Sequence, residues 1–169
     1  AKLFVDEAHA LGVMGDQGRG LCFGMSEPIK IISGTFGKAF GGGGAFLASN
    51  TPIGENLLQT SGAYRYTTAL APPLAAAALA ALTLIQANPA WGEELQKEGI
   101  KWRQRIAKQG WKYPSGEGPI LSLIIGSDKQ ALFYQDKLEK NGLLSVAIRP
   151  PTVPEGTSRL RIVIRKNLP

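Results

Sequence analysis

Apolar residues come in two rhythms along this chain. Lys2-Leu3-Phe4-Val5 and the stretch from Pro28 to Ile32 are short, largely apolar and followed by glycine-bearing turns, which predicts buried strands over 2–5 and 28–32. Ala45 to Ala48 predicts a third strand. Thr51-Pro52 caps and opens a helix running to about Gln59, with proline at a first-turn position where its missing N–H costs nothing. Leu70 to Ala87 is alanine- and leucine-rich on most sides and is introduced by Pro72-Pro73, so a buried helix is expected rather than a surface one. Asn88-Pro89 interrupts it. The pattern then restarts over 89–110, where Trp91, Leu95, Trp102 and Ile106 fall on one face while Glu93/Lys97 and Glu98/Lys101 form exposed pairs.

The last third changes rhythm. Ile120 to Ile125 predicts a strand, and Ser127-x-x-Gln130 starts a helix by a capping box that ends near Asn141-Gly142. Leu144 to Ile148 and Leu160 to Ile164 predict two further strands. The result is a β-α-β-β lobe. The division between a larger first domain, 1–110, and a small α+β domain, 111–169, is expected near Gly110 to Gly118.

Composition narrows the class. At 169 residues, 44% of them hydrophobic, the chain can bury a core, and no run of eighteen apolar residues predicts a membrane span. A single cysteine, Cys22, offers neither an internal disulfide nor a thiol pair for a metal, so no metal is expected, the cytoplasm is the expected compartment, and Cys22 is expected in the core. Lys and Arg outnumber Asp and Glu by 19 to 13, but the charges are interleaved, so no nucleic-acid partner is expected. The chain opens without methionine directly on a strand, and it stops at Asn167-Leu168-Pro169 just after another. A piece of a longer polypeptide is expected.

Chemistry concentrates just past the first two strands. Asp6 is followed by His9, the only histidine, and Lys38 stands alone in Ser33-Gly34-Thr35-Phe36-Gly37-Lys38-Ala39, ahead of the Gly41–Gly44 run. A solitary lysine with an upstream carboxylate is what pyridoxal phosphate (PLP) chemistry requires: an amine for a Schiff base, and a carboxylate that keeps the ring nitrogen protonated. The glycines leave room for a planar group, and a lysine walled by them would be desolvated. Taken alone, Asp-x-x-His is short and common, and an aspartate cap beside a turn histidine is the better explanation until the lysine motif is added. A phosphate loop fails because the glycine spacing is wrong and no Ser or Thr follows Lys38. The set Gly12, Gly15, Gly18 and Gly20 likewise misses the dinucleotide spacing.

Four segments together resemble the α-oxoamine synthases: residues 5–20 from Val5-Asp6-Glu7-Ala8-His9 to Gly18-Arg19-Gly20, then Gly34-Thr35-Phe36-Gly37-Lys38, Tyr66-Thr67-Thr68-Ala69-Leu70, and residues 148–161 from Ile148-Arg149-Pro150-Pro151 to Arg159-Leu160-Arg161. The resemblance implies an α/β fold, part of an aspartate-aminotransferase-type (fold type I) PLP transferase: part of the large-domain sheet plus a small α+β carboxyl-terminal domain. It implies that Asp6 pairs with the pyridine nitrogen, His9 bonds the phenolic oxygen, Lys38 is the Schiff-base lysine, and Thr35 lies near the phosphate. Thr67 and Thr68 would reach the phosphate of a neighbouring subunit's cofactor, so a homodimer with a shared active site is implied. Arg161 would clamp the substrate carboxylate, with Arg149 a candidate for the acyl substrate. Arg159 is expected to be structural. Within the family, the resemblance of residues 149–154 implies decarboxylative condensation of L-alanine with a pimeloyl thioester, on coenzyme A or a carrier protein, a step of biotin synthesis. Sister reactions of glycine or serine with other acyl-CoAs remain alternatives. In that family the Asp-x-x-His strand comes about midway, so a catalytically inactive fragment is the remaining alternative.

Overall fold

The computed structural model describes residues 2–25 and 29–166, so Pro28 and the stop at 167–169 lie outside the described residues. Two compact units result, residues 1–93 and 94–169. In the first, β1 (Leu3–Asp6) pairs in parallel with β2 (Ile29–Thr35), and β2 pairs antiparallel with β3 (Ala45–Ser49), giving the order β1-β2-β3. Register is what matters here: Asp6 stands opposite Ser33, and the Glu7 N–H extends the ladder by donating to the Ser33 carbonyl at 2.8 Å.

Three helices follow. α1 (Thr51–Thr60) starts one residue earlier than its sequence signal, because Asn50 is the cap and its Oδ1 accepts from the Ile53 N–H at 3.2 Å. α2 (Gly62–Arg65) is a single turn capped by Ser61, whose Oγ accepts from Tyr64 N–H. α3 (Pro72–Ala87) lays Leu74 against Gly43 and Ile85 against Gly12.

Two expectations about burial need correction. β1 is not covered, since Phe4 is 64% exposed, and in α3 only Ala78 is buried while Leu79 is 65% exposed. The reason is geometric. A strand or helix apolar on every side needs neighbours on every side, and the first unit of this chain supplies them on one side only.

α4 (Trp91–Lys108) crosses the boundary between the units. Within the second unit, Arg103 on α4 is 1% exposed and donates from its two terminal nitrogens to the carbonyls of Gly118 (2.8 Å) and Ile120 (2.9 Å). Gly99, one turn earlier, lets the chain pass: a Cβ there would stand 2.7 Å from the Gly118 carbonyl. The guanidinium thus replaces ladder partners for the segment entering β4 (Ile120–Gly126).

The remaining elements are α5 (Asp128–Lys140), β5 (Val146–Ile148) and β6 (Ser158–Val163), in an antiparallel sheet of order β4-β6-β5. Period-two alternation sorts this sheet into two faces. Leu121, Leu123 and Leu160 are buried together with Ala131 of α5, whereas Ser122, Ile124, Val146, Arg159 and Arg161 share the other face. Ser127 sits at the α5 cap position but its side chain makes no capping bond, so the expected capping box does not form. The buried Ser158 hydroxyl instead donates to Asp128 Oδ1 at the start of α5. At the other end, Gly142 N–H donates to Glu139 and Leu143 N–H to Leu138, a Schellman closure that the positive φ of Gly142 permits. Among the described residues no single helix is long and apolar enough to cross a membrane.

Leu121 is fully buried, so Leu121→Ala is expected to cost about 2–5 kcal/mol in urea unfolding. Arg103→Met, which strands one buried and one part-buried carbonyl, is expected to cost at least about 1–3 kcal/mol in the same measurement.

Candidate active site

Parallel pairing brings the carboxyl ends of β1 and β2 to one edge of the first sheet. A cavity of about 550 Å³ opens there between the sheet and α1–α2, lined by Asp6, Ala8, Ser33, Gly34, Thr35 and Tyr64 among others. Asp6 is exposed, and its Oδ1 accepts from the Ala8 N–H at 2.8 Å. The turn beyond it is closed by the Glu7 carbonyl, which accepts from Ala10 (2.9 Å) and Leu11 (3.0 Å), and His9 rides exposed on that turn.

The second loop leaves β2. Thr35 Oγ1 donates to the Gly44 carbonyl (3.0 Å) and accepts from Gly37 N–H (3.1 Å), while Gly42 N–H donates to the Phe36 carbonyl (2.7 Å). These bonds cinch residues 35–44 into a compact excursion, and Phe36 packs on Phe40 and Phe46 at 5.5 Å between ring centroids. Thr35 therefore braces the loop with its only proton. Lys38 lies on the excursion, its carbonyl accepting from Gly41 N–H, and its side chain is exposed. The desolvation expected of Lys38 is not supplied by the described residues.

Other candidates are placed as follows. Thr67 and Thr68 lie exposed in the link between α2 and α3. In the second unit, Arg161 is exposed on the central strand β6, between Ser122 and Val146, and Arg149 is exposed just past β5. Arg159 Nε and a terminal nitrogen donate to the Thr157 carbonyl and hydroxyl, which suits a structural role.

Sequence reading passed over Ala8, Ser33 and Gly34 on the cavity wall and Glu7 behind it. Gly34 carried a signal, because a glycine inside a β-branched strand marks a close approach. The approach is the Phe46 ring, 2.5 Å from where a Cβ would stand. Cys22 is half-buried rather than core. Its thiol is pushed up from 9.0 to about 11, first by desolvation and then by the hydrogen bond and negative charge of Glu7.

The model of the family described as aminotransferase class I and II matches residues 1–168. The chain belongs to the aminotransferase class I and II family. An 8-amino-7-oxononanoate synthase of Thioalkalivibrio sulfidiphilus is 42% identical over 167 residues, covering 97% of this chain and 43% of that protein. The crystal structure of 8-amino-7-oxononanoate synthase from Francisella tularensis superposes with a TM-score of 0.85 at 32% identity, over 99% of this chain and 50% of that one. A serine palmitoyltransferase from S. paucimobilis, solved with a PLP–myriocin aldimine bound, superposes at 0.90 with 28% identity, over 100% of this chain and 44% of that one. The chain spans about two-fifths of the length of the curated relatives it matches. As an aminotransferase class I and II family member it carries the expected α/β architecture, part of a fold-type I sheet plus a small α+β unit.

Gly34→Ala is expected to abolish correct closure of β2 on β3 and lower the melting temperature by several degrees, because the methyl meets Phe46 and Leu11. For Cys22 the sign follows from the raised value. The folded state keeps a thiol proton that the unfolded chain releases near pH 9, so its contribution to stability is full below pH 9 and is lost as pH rises towards 11. Iodoacetamide labelling at pH 9 is expected to be slow in the folded protein and fast after unfolding.

Proposed function

We propose that this chain supplies the lysine-bearing part of a PLP site in a protein that condenses L-alanine with a pimeloyl thioester. Carbon dioxide and the thiol leave, and 8-amino-7-oxononanoate results. The observation that carries this reading is the parallel register of β1 and β2, by which Asp6 and the loop to Lys38 leave the same sheet edge. The donor set fits the cofactor: a carboxylate on the cavity wall, an exposed primary amine in a glycine-rich loop, and open space at Gly41, where an added Cβ meets nothing within 4 Å. The curated relatives named 8-amino-7-oxononanoate synthase, at about 40% identity, support the same reading.

Each residue then has a task. Lys38 would hold the cofactor through its amine, and the same amine would take the proton from Cα of alanine. Asp6 would keep a proton on the pyridine nitrogen, and His9 would donate to the phenolic oxygen. When bound, the cofactor supplies an electron sink for the charge left at Cα. Arg161 orients the amino-acid carboxylate by its planar fork, and Arg149 meets the acyl substrate. Thr67 and Thr68 serve the phosphate of a partner subunit in a cytoplasmic homodimer. Thr35 acts on the phosphate by bracing its loop.

The serine palmitoyltransferase superposition favours a second reading, a sister condensation with another amino acid and acyl chain. Substrate pairs decide between them. In the full-length protein carrying this chain, alanine with pimeloyl-CoA is expected to turn over and serine with palmitoyl-CoA is not; the reverse would overturn the assignment. Lys38→Ala is expected to remove both turnover and the visible absorption of the PLP-loaded protein, and Asp6→Asn to lower turnover by about 10²–10⁴. Visible absorption that persists in Lys38→Ala refutes the lysine assignment.

A further inference from the structure

Glu7 is 2% exposed, yet it lies between two exposed residues assigned to the cofactor, Asp6 and His9. Every polar group it has is in use. Its N–H donates to Ser33 on β2, its carbonyl closes the His9 turn through Ala10 and Leu11, and its carboxylate accepts from the N–H groups of Leu21 (3.1 Å) and Cys22 (2.5 Å). Its carboxylate thus meets two backbone N–H groups of one loop and lies against the Cys22 thiol. Gly20, at φ +91°, brings the chain in so closely that a Cβ would stand 3.0 Å from the carboxylate carbon. The loop so gathered is also cross-tied, Gly12 N–H to the Gly18 carbonyl and Gly20 N–H to the Met14 carbonyl.

A buried carboxylate is costly to desolvate unless hydrogen bonds to its charged form compensate, and here the donors that compensate belong to the loop it holds. We propose that Glu7 is a positioning residue: its carboxylate anchors the glycine loop 12–22 beneath the turn, and the anchored loop fixes the angle at which Asp6 and His9 enter the site. The role towards the cofactor rests on the reading of the preceding subsection. The anchor itself does not.

Two arms separate them, both on the full-length protein carrying this chain, with Leu121→Ala in the other unit as a control that destabilises without touching the loop. Without cofactor, Glu7→Gln keeps the shape but turns an amide towards two N–H donors. It is expected to raise amide exchange over residues 6–22 at least about fivefold, which Leu121→Ala leaves unchanged. With PLP added, Glu7→Gln is expected to raise the dissociation constant at least about tenfold and to shift the visible absorption maximum, and Leu121→Ala to do neither. Exchange rates within twofold of wild type would overturn the anchor. Faster rates with an unchanged PLP spectrum and affinity would overturn the positioning role. A wild-type protein that gives no visible absorption with PLP sinks the cofactor reading instead, and the first arm still judges whether Glu7 fixes the turn.

Discussion

The site depends on two parallel strands held in one register. A parallel ladder puts the exits of both strands at the same edge of a sheet, and the bond from Glu7 N–H to the Ser33 carbonyl sets how far each strand runs before it leaves. Asp6 then leaves the sheet opposite Ser33, and the excursion bearing Lys38 leaves two residues further on, after Thr35. Because side chains alternate with period two, a slip of one residue would turn Asp6 to the other face of the sheet. The antiparallel return of β3 secures the register from the far side, with Thr35 opposite Ala45.

Two loops cross that edge, and each is held by a different economy of hydrogen bonds. The excursion at 35–44 is short and closes on itself through the Thr35 hydroxyl and its own backbone. The loop at 12–22 is longer and closes on the carboxylate of Glu7, a charged acceptor that serves two N–H groups and depresses the acidity of the nearby thiol. Local polar groups thus substitute for packing where glycine provides none. α3 rests on both loops at Gly12 and Gly43 and buries little else.

The second unit uses its sheet differently. One face is leucine packed on α5, and the other displays Arg159 and Arg161, the first tied to Thr157 and the second exposed. A buried arginine, Arg103, secures the entry to β4 through carbonyls rather than through an acid, which fixes the backbone without bringing a second charge out of water.

Sequence alone determined the order of the strands and the longer helices, though not the single turn α2, since apolar periodicity, proline and glycine are local signals and local geometry obeys them. It also marked Asp6, His9 and Lys38, because isolated reactive side chains beside glycines stand out in any arrangement. Tertiary structure alone decided that Asn50 rather than Thr51 caps α1, that Ser127 caps nothing while Asp128 meets Ser158, and that Glu7 turns inward. Each of those outcomes turns on which group a short polar side chain meets in space, up to 30 residues away along the chain. The exposure of Phe4 and Leu79 has the same origin: an apolar pattern states what a residue can bury against, and only neighbouring elements decide whether it does.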